Sequence, residues 1–313
     1  MEYLTRAGAF DSLGLRRSQI LAIAEPMLKY SASRAADLAK GQGSLFDMLD
    51  EEDSGDSNIQ IPDIPEFSME EILENEKQLL GFYVTGHPFD RWAPIGAALT
   101  SCPIRDLDNL ANNTGARLVG MVDSYQQKFS KNSGKQFGIL LLEDLDSSVE
   151  CMIYERALMA MIRNGIELKP GLPVMLEAVV SKKEENEKPR VVVDKVCTMD
   201  EAMDQLTEMY IHIDGVKTTR QELEQLQKIF AHSPGKTKLV FCVVDEKDSV
   251  TFVETSPRTG FKIRPDMLEA LDTLLGPGHF RFKADPFDTE RAKAAAAWRA
   301  NRAAENAAKP AGN

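Results

Sequence analysis

The sequence has few cysteines, few histidines and no long apolar run. Its four cysteines and four histidines are scattered, with no C-x-x-C and no His-ligand spacing, so we expect reduced thiols and no zinc site. No run of about 18 apolar residues is present, which predicts no membrane span, and no signal peptide follows Met1. We therefore predict a cytoplasmic protein with no membrane partner.

Basic residues are absent from residues 47–76, although this stretch holds twelve Asp and Glu residues. The net charge of −12 thus comes from one segment, and the rest of the chain is balanced. An acidic total therefore does not exclude nucleic-acid binding by other parts of the chain. Residues 47–66 also contain Ser54-Gly55 and the two prolines Pro62 and Pro65, which together with the acidic residues predicts an acidic flexible linker.

A short pattern, Gln-x-x-Leu-Phe, stands just before this linker at Gln42, Leu45 and Phe46. The amide can hydrogen-bond to a partner's backbone, and the two apolar side chains can fill a pocket, which is typical of a docking peptide. A chance match in a chain of this length has a probability on the order of a few per cent. The alternative is a helix end followed by two unrelated apolar residues.

Helical spacing of apolar residues predicts a helix from Leu15 to Lys40 that Pro26 kinks or splits. A shorter helical start and a glycine turn precede it. Arg6, Arg16 and Arg17 lie beside this turn and are candidate contacts to a duplex DNA backbone. The alternative is a surface helical pair with ordinary solvated arginines.

Residues 67–116 predict a helical connector. Ser68 is the expected N-cap of a helix that runs from Met69 to about Leu80. His87, in a Gly-His-Pro segment, has no nucleophile or carboxylate at a catalytic spacing, so we interpret it as a turn histidine held by a backbone hydrogen bond.

Residues 117–200 predict three strands, a helix and two strands, which is the order of a five-stranded OB-fold β-barrel. Such barrels bind single-stranded nucleic acid through basic and aromatic side chains. A basic, turn-rich loop, 128–135, follows the first strand. The alternative is core aromatics and solvated lysines. The candidate single-strand contacts are Tyr125, Lys128, Phe129, Lys131, Lys135, Phe137 and Tyr154.

Residues 205–284 predict a small α+β domain with helices on one face of its sheet and an optional third strand at 261–264. We interpret it as an interaction module. An Ala-rich tail, 285–313, follows it. The predicted fold class of the whole chain is therefore multidomain α+β.

Two Asp-x-Asp pairs, Asp106/Asp108 and Asp144/Asp146, have the spacing of a two-metal site. The second pair falls in a hairpin turn, where Asp is favoured for its turn-forming side chain. The first pair has no third carboxylate in a suitable strand. We therefore reject both pairs as an active site.

Four segments together resemble one family, the C-terminal region of the bacterial DNA polymerase III alpha subunit. They contain Ala-Gly-Ala-Phe-Asp within residues 4–14, Gly-Gln-Gly-Ser-Leu-Phe at 41–46, Gly-His-Pro within 76–90, and Gly-Lys-Gln-Phe at the start of 134–144. The resemblance spans residues 1 to about 284. The sequence departs from the family's pattern at residues 15–17, where it reads Leu-Arg-Arg and the family often has an Asn-Arg pair.

The resemblance implies a function for each part. Residues 1–46 would be the end of a helix-hairpin-helix region that holds duplex DNA and carries, in Gln42, Leu45 and Phe46, the peptide for the sliding clamp (the beta subunit). The OB barrel would meet single-stranded template beside primer-template DNA, and the α+β domain would contact the clamp-loader tau subunit. The Gly-His-Pro segment would be structural.

The parent family is a DNA-directed DNA polymerase, a nucleotidyltransferase that uses Mg²⁺. Its palm carboxylates, its phosphoesterase-like domain and its first hairpin have no counterpart here. We therefore expect a fragment or a split gene product that is non-catalytic in itself and needs no cofactor of its own. The alternatives are a stand-alone OB-fold single-stranded DNA-binding protein and a metal-dependent nuclease or polymerase that uses the Asp-x-Asp pairs.

Overall fold

The chain forms two compact units, Met1–Pro88 and Phe89–Asn313. The division falls inside the predicted connector 67–116, whose two parts thus lie in different units.

No helix in the described part of the chain is long and apolar enough to cross a membrane. The computed structural model describes residues 1–39, 59–131, 134–182, 190–231, 233–247, 249–255, 260–276 and 278–289.

The described part of the first unit contains three α-helices, α1 (Glu2–Arg6), α2 (Arg17–Ala39) and α3 (Met69–Leu80), and a short 3-10 helix, Asp11–Leu13. Helix α2 continues through Pro26, so it is not split there. Its side chains are buried near the start, at Ile20 and Ile23, and exposed from residue 25 to residue 36. Helix α3 begins as predicted, because the Ser68 hydroxyl accepts a hydrogen bond of 3.2 Å from the backbone N–H of Glu71.

Of the predicted linker, 47–66, the structure describes residues 59–66, and two of their acidic side chains contact the start of α2. The Glu66 carboxylate accepts hydrogen bonds from the backbone N–H groups of Arg17, at 2.7 Å, and Ser18, at 3.0 Å. Asp63 pairs with Arg16 at 2.9 Å. A helix start has unpaired N–H groups and a positive dipole end, so carboxylates bind there favourably. Residues 47–58 lie outside the described part.

The predicted five-stranded barrel is present in the second unit, with the closed strand order β1-β2-β3-β5-β4. Neighbouring strands are antiparallel except β3 and β5, whose parallel pairing completes the barrel. This order is the OB-fold topology. The barrel elements are β1 (Thr114–Phe129), β2 (Gln136–Glu143), β3 (Ser148–Ile153), α5 (Glu155–Arg163), β4 (Pro173–Ser181) and β5 (Arg190–Thr198).

Alternating apolar residues fill the barrel interior, including Leu118, Val122, Leu140 and Leu142, all 0% exposed. Alternation is expected because successive strand residues point to opposite faces of the sheet. The residues of β1 that alternate with these interior residues point outward, and some of them, such as Val119, belong to a second apolar cluster outside the barrel. The barrel is thus apolar on its inside and on part of its outside.

A four-stranded sheet of order β8-β7-β6-β9 follows the barrel. The buried residues Leu226 and Leu271, from two of its helices, join Met209 and Ile211 of its central strand, and Val119 of the barrel belongs to the same cluster. Residues 261–264 form no strand; Phe261 only bridges to the start of β7. The remaining elements are α4 (Ala93–Leu99), α6 (Met199–Met203), β6 (Leu206–Asp214), α7 (Arg220–Ala231), β7 (Pro234–Val244), β8 (Val250–Glu254), α8 (Pro265–Leu275) and β9 (Phe280–Ala284).

Candidate nucleic-acid interface

The hairpin of β1 and β2 extends beyond the barrel. Strand β1 pairs with β4 only as far as Met121 but with β2 as far as Phe129, and β2 pairs with β3 only from Gly138 onward. Lys128 and Phe129 therefore lie in a two-stranded extension, opposite Phe137 and Gln136. The predicted loop 128–135 is wrong at these two residues, since both belong to the strand.

Three lysines stand at the end of this hairpin. The side chains of Lys128 and Lys131 are exposed, and no carboxylate in the described ranges forms an ion pair with either. Lys135 lies 2.7 Å from a carboxylate oxygen of Glu155. Both members of that pair are largely exposed, so its contribution is at most about 1 kcal/mol, and a phosphate can compete for Lys135. The three ammonium groups suit the phosphates of a nucleic-acid backbone.

The four predicted aromatic residues do not form one surface. Phe137 is opposite Lys128 on the outer face of the hairpin, and Tyr154, which is 50% exposed, directly follows β3. Phe129, at 71% exposure, is on the other face. Tyr125 is half-buried against the barrel interior. The prediction that Tyr125 stacks on a base is therefore not supported, because its ring is already packed within the protein.

Sequence reasoning missed an apolar strip on the outer face of the barrel. Ile139, Leu141 and Met152 are half-buried there, since they alternate with the interior residues of β2 and β3. The sequence does contain a signal for this strip, because residues 139 to 142 are all apolar. In a strand that is buried on one face only, apolar and polar residues alternate. Together with Phe137, this strip offers an apolar surface beside the hairpin lysines.

The Asp144/Asp146 pair does not fit a Mg²⁺ site. The Asp144 carboxylate accepts hydrogen bonds from the backbone N–H groups of Asp146 and Ser147, as expected of a turn aspartate, and from Ile104. Asp146 pairs with Arg105 at 2.8 Å. Their oxygens are thus already engaged by donors. Within the described residues no group of His, Cys, Asp and Glu has a metal-binding arrangement.

The four cysteines are free and buried. Burial raises the pKa of each thiol, so the thiolate, which is the nucleophilic form, is disfavoured. This environment is typical of structural cysteines. The thiols are Cys102, Cys151, Cys197 and Cys242.

Arg17 is a structural residue of the first unit. It is 4% exposed, and its guanidinium lies 2.7 Å from a carboxylate oxygen of Asp11 and 2.9 Å from one of Glu76. It also donates hydrogen bonds to the Arg6 carbonyl and the Thr85 hydroxyl. The structure does not support Arg17 as a duplex DNA contact, because Arg17 is itself buried and a phosphate would have to displace these partners, among them the buried Glu76 carboxylate.

Arg6 and Arg16 are more accessible, with side-chain exposures of 30% and 48%. Each pairs with a carboxylate, Arg6 with Glu2 at 3.2 Å and Arg16 with Asp63 at 2.9 Å. Such exposed pairs are weak. Both arginines, and the helix-hairpin-helix to which the sequence assigned them, stay predictions.

Glu76 is the buried acid of the Arg17 cluster, with 0% exposure. Burial alone raises the pKa of this carboxyl. Hydrogen bonds from the Thr85 hydroxyl, from the backbone N–H groups of Thr85 and Val84, and from Arg17 outweigh burial and lower the pKa to about 2. The carboxylate therefore holds the segment before His87 against α3, while the His87 ring packs edge-on against Tyr83, with 5.1 Å between centroids.

We expect the first unit to lose stability as the pH falls from about 4.5 to about 2. The folded-state pKa of Glu76 is below its unfolded value, so its contribution is present above the unfolded pKa and is lost as the folded form takes up the proton. Urea unfolding of the wild type and of Glu76→Gln at several pH values tests this. The variant should show a smaller decline over that window; parallel declines would contradict the assignment.

The predicted docking peptide, Gln42, Leu45 and Phe46, lies outside the described residues. Its neighbours in the chain are described: α2 ends at Ala39, and the described chain resumes at Ile59. The 23 residues of α2 correspond to a helix about 34 Å long.

The barrel order and its hairpin define an OB-fold protein with an appended α+β sheet. Among curated proteins, the chain is similar to "DNA polymerase III subunit alpha" of Thermus aquaticus, 26% identical over 269 residues (83% of this chain and 20% of the relative). The protein of the same name from Mycobacterium leprae is 25% identical over 88% of this chain and 23% of its own length. That of Treponema pallidum is 30% identical over 49% of this chain and 13% of its own length.

These matches confirm the resemblance to the bacterial DNA polymerase III alpha subunit. The chain spans less than a quarter of the length of these relatives. No family model matches. Among solved structures, the mitochondrial single-stranded DNA binding protein Rim1 of S. cerevisiae matches 28% of this chain and 97% of its own length at 12% identity, with a TM-score of 0.24. That score is too low to support a conclusion on function.

Proposed function

We propose that the chain is the binding part of a replicative DNA polymerase III alpha subunit and is non-catalytic in itself. In this proposal it holds the sliding clamp through Gln42, Leu45 and Phe46, single-stranded template through the barrel hairpin, and the clamp-loader tau subunit through the C-terminal sheet. The observation that carries the proposal is the similarity to alpha subunits over 83% and 88% of this chain.

The barrel hairpin supports the assignment of the single-strand site. Lys128, Lys131 and Lys135 surround the end of the hairpin, and the outer face beside them is apolar and includes Phe137. Single-stranded DNA is bound by this combination, since ammonium groups follow the phosphates while bases pack on apolar and aromatic side chains. A weak template site and a weak clamp peptide on one chain raise each other's effective concentration.

The C-terminal sheet supports the assignment of a protein partner. Strand β8 is an edge strand with every residue exposed, including Phe252 at 64%. An apolar groove of about 700 Å³ lies beside β7, with Leu223, Phe230 and Phe241 among its lining residues. An exposed apolar edge next to a groove is suited to protein docking, and we assign it to the clamp loader.

Replacing Lys128, Lys131 and Lys135 together by Ala is expected to weaken single-stranded DNA binding by about tenfold at low salt. The dependence of log affinity on log salt concentration should become shallower by about 2, because each lost phosphate contact removes roughly 0.7 of the slope for single strands. Fluorescence anisotropy of a labelled oligonucleotide at several salt concentrations measures both quantities.

The matched control replaces three exposed lysines of the C-terminal sheet region, Lys228, Lys236 and Lys247, by Ala. It changes the net charge equally and should leave both the affinity and the salt slope close to wild type. If the two triple variants behave alike, only overall charge matters and the hairpin is not the site. Failure of the wild type to bind would reject the template assignment.

A further inference from the structure

Tyr125 lies across Gly138, its diagonal neighbour on β2. A Cβ atom on Gly138 would be 2.7 Å from Cε2 of the tyrosine ring and 2.9 Å from its hydroxyl oxygen. Carbon atoms do not approach so closely, so the ring occupies the space that any other residue at 138 would fill. The ring also packs against the buried barrel interior, and burial raises the pKa of its hydroxyl.

A β-bulge puts Tyr125 on this face. Val122 pairs with Leu142, and both are interior residues, but Ser124 pairs with Leu141, so Asp123 is an extra residue on β1. An extra residue reverses the inside–outside alternation beyond it. Tyr125 therefore points inward opposite Leu140, where unbroken alternation would have turned it outward.

Two hydrogen bonds continue this inner face toward the hairpin end. The Gln127 side-chain amide donates to the Tyr125 hydroxyl at 3.1 Å. The side-chain amide N–H of Gln136, on the opposite strand, donates to the side-chain oxygen Oε1 of Gln127 at 2.7 Å. Phe129 is the next residue of β1 on the same face, opposite Gln136. The ring and the two amides thus connect the barrel interior to the end of the extension.

We propose that Tyr125 is a positioning residue. It packs on Gly138 and is hydrogen-bonded to Gln127, so it stiffens the projecting hairpin and presents Lys128 and Phe137 in a fixed place. This inference rests on the proposed single-strand site, whose contacts it positions. A two-stranded hairpin is only marginally stable by itself, so residues 128–129 and 136–137, which pair only with each other, need such a support.

The first test uses the full chain without DNA. Amide hydrogen exchange at residues 126–129 and 136–138 should be about tenfold faster in Tyr125→Leu and in Gly138→Ala, because local opening then costs less. Exchange in β4 and β5 should be unchanged. Tyr125→Phe keeps the ring and should fall between wild type and Tyr125→Leu. Exchange equal to wild type in Tyr125→Leu overturns the inference, as does faster exchange throughout the barrel.

The second test separates positioning from direct contact. Tyr125→Leu should reduce single-stranded DNA affinity by about threefold to tenfold while the salt slope stays at its wild-type value, because no phosphate contact is removed. If Tyr125→Leu binds single-stranded DNA with wild-type affinity, the inference is overturned. It is also overturned if the affinity falls while hydrogen exchange is unchanged, because that result makes Tyr125 a direct base contact. Absence of binding by the wild type rejects the proposed template site alone, because the exchange test needs no DNA.

Discussion

Arg17→Met is expected to destabilise the first unit by about 3–5 kcal/mol. The substitution keeps most of the apolar volume of the side chain but leaves the Glu76 carboxylate, which is 0% exposed, without its cation. Leaving a buried carboxylate without its partner costs much more free energy than the intact ion pair contributes to stability. The free energy of unfolding is measured in urea, with the helical circular dichroism signal as the readout.

Arg16→Met is the matched control for this prediction. Arg16 is the adjacent residue and also forms an ion pair, with Asp63 at 2.9 Å, but the side chains of that pair are 48% and 95% exposed. An exposed pair contributes at most about 1 kcal/mol, so this variant should be close to wild type. Equal destabilisation by the two substitutions would show that burial of Arg17 has no energetic importance.

A double variant, Arg17→Met with Glu76→Gln, should be more stable than Arg17→Met alone. Removal of the carboxylate charge removes the group whose burial was uncompensated, and the carbonyl oxygen of the introduced glutamine can still accept the hydrogen bonds of Val84 and Thr85. The non-additivity measures the coupling of the two residues. If the destabilisations caused by the two single substitutions add up in the double variant, Arg17 stabilises the unit through its contacts to Asp11 and the Arg6 carbonyl instead.

The strand order of the barrel is predictable from sequence because its cause is local. Apolar alternation and turn residues mark five strands and one helix in the OB order, which the strand pairing confirms. The end of β1 is mistaken for a loop because its neighbours Ser130, Asn132 and Gly134 favour turns. The bulge at Asp123 leaves no signal in composition, so the inward position of Tyr125 was not predictable.

The Arg17 cluster was not predictable, because its members are distant in the sequence. Glu76 is 59 residues from Arg17, and an arginine beside a glycine turn is equally typical of a phosphate contact. The acidic and proline-rich composition of residues 59–66 favours a linker. Composition does not show that Glu66 has the backbone N–H groups of α2 as partners, since that depends on where the chain returns.

Replacing Gln42, Leu45 and Phe46 together by Ala is expected to reduce binding to the sliding clamp by at least about 100-fold. In a short docking peptide a few apolar side chains carry most of the binding energy, and buried aromatic residues contribute about 2 kcal/mol or more each. The remaining residues of so short a motif cannot compensate, because ordering the chain costs conformational entropy in any case. Surface plasmon resonance with the immobilised clamp of the same organism measures the loss.

Met48→Ala with Leu49→Ala is the control for the peptide, because it removes two neighbouring apolar side chains from the same segment and leaves the Gln-x-x-Leu-Phe pattern intact. It should retain most of the clamp affinity. The hairpin variant that lacks Lys128, Lys131 and Lys135 should bind the clamp as wild type does, since the two sites act on different ligands. Clamp binding that survives the triple peptide substitution would reject the docking assignment. Absence of clamp binding by the wild type would instead favour a stand-alone single-stranded DNA-binding protein, which has no need of a clamp.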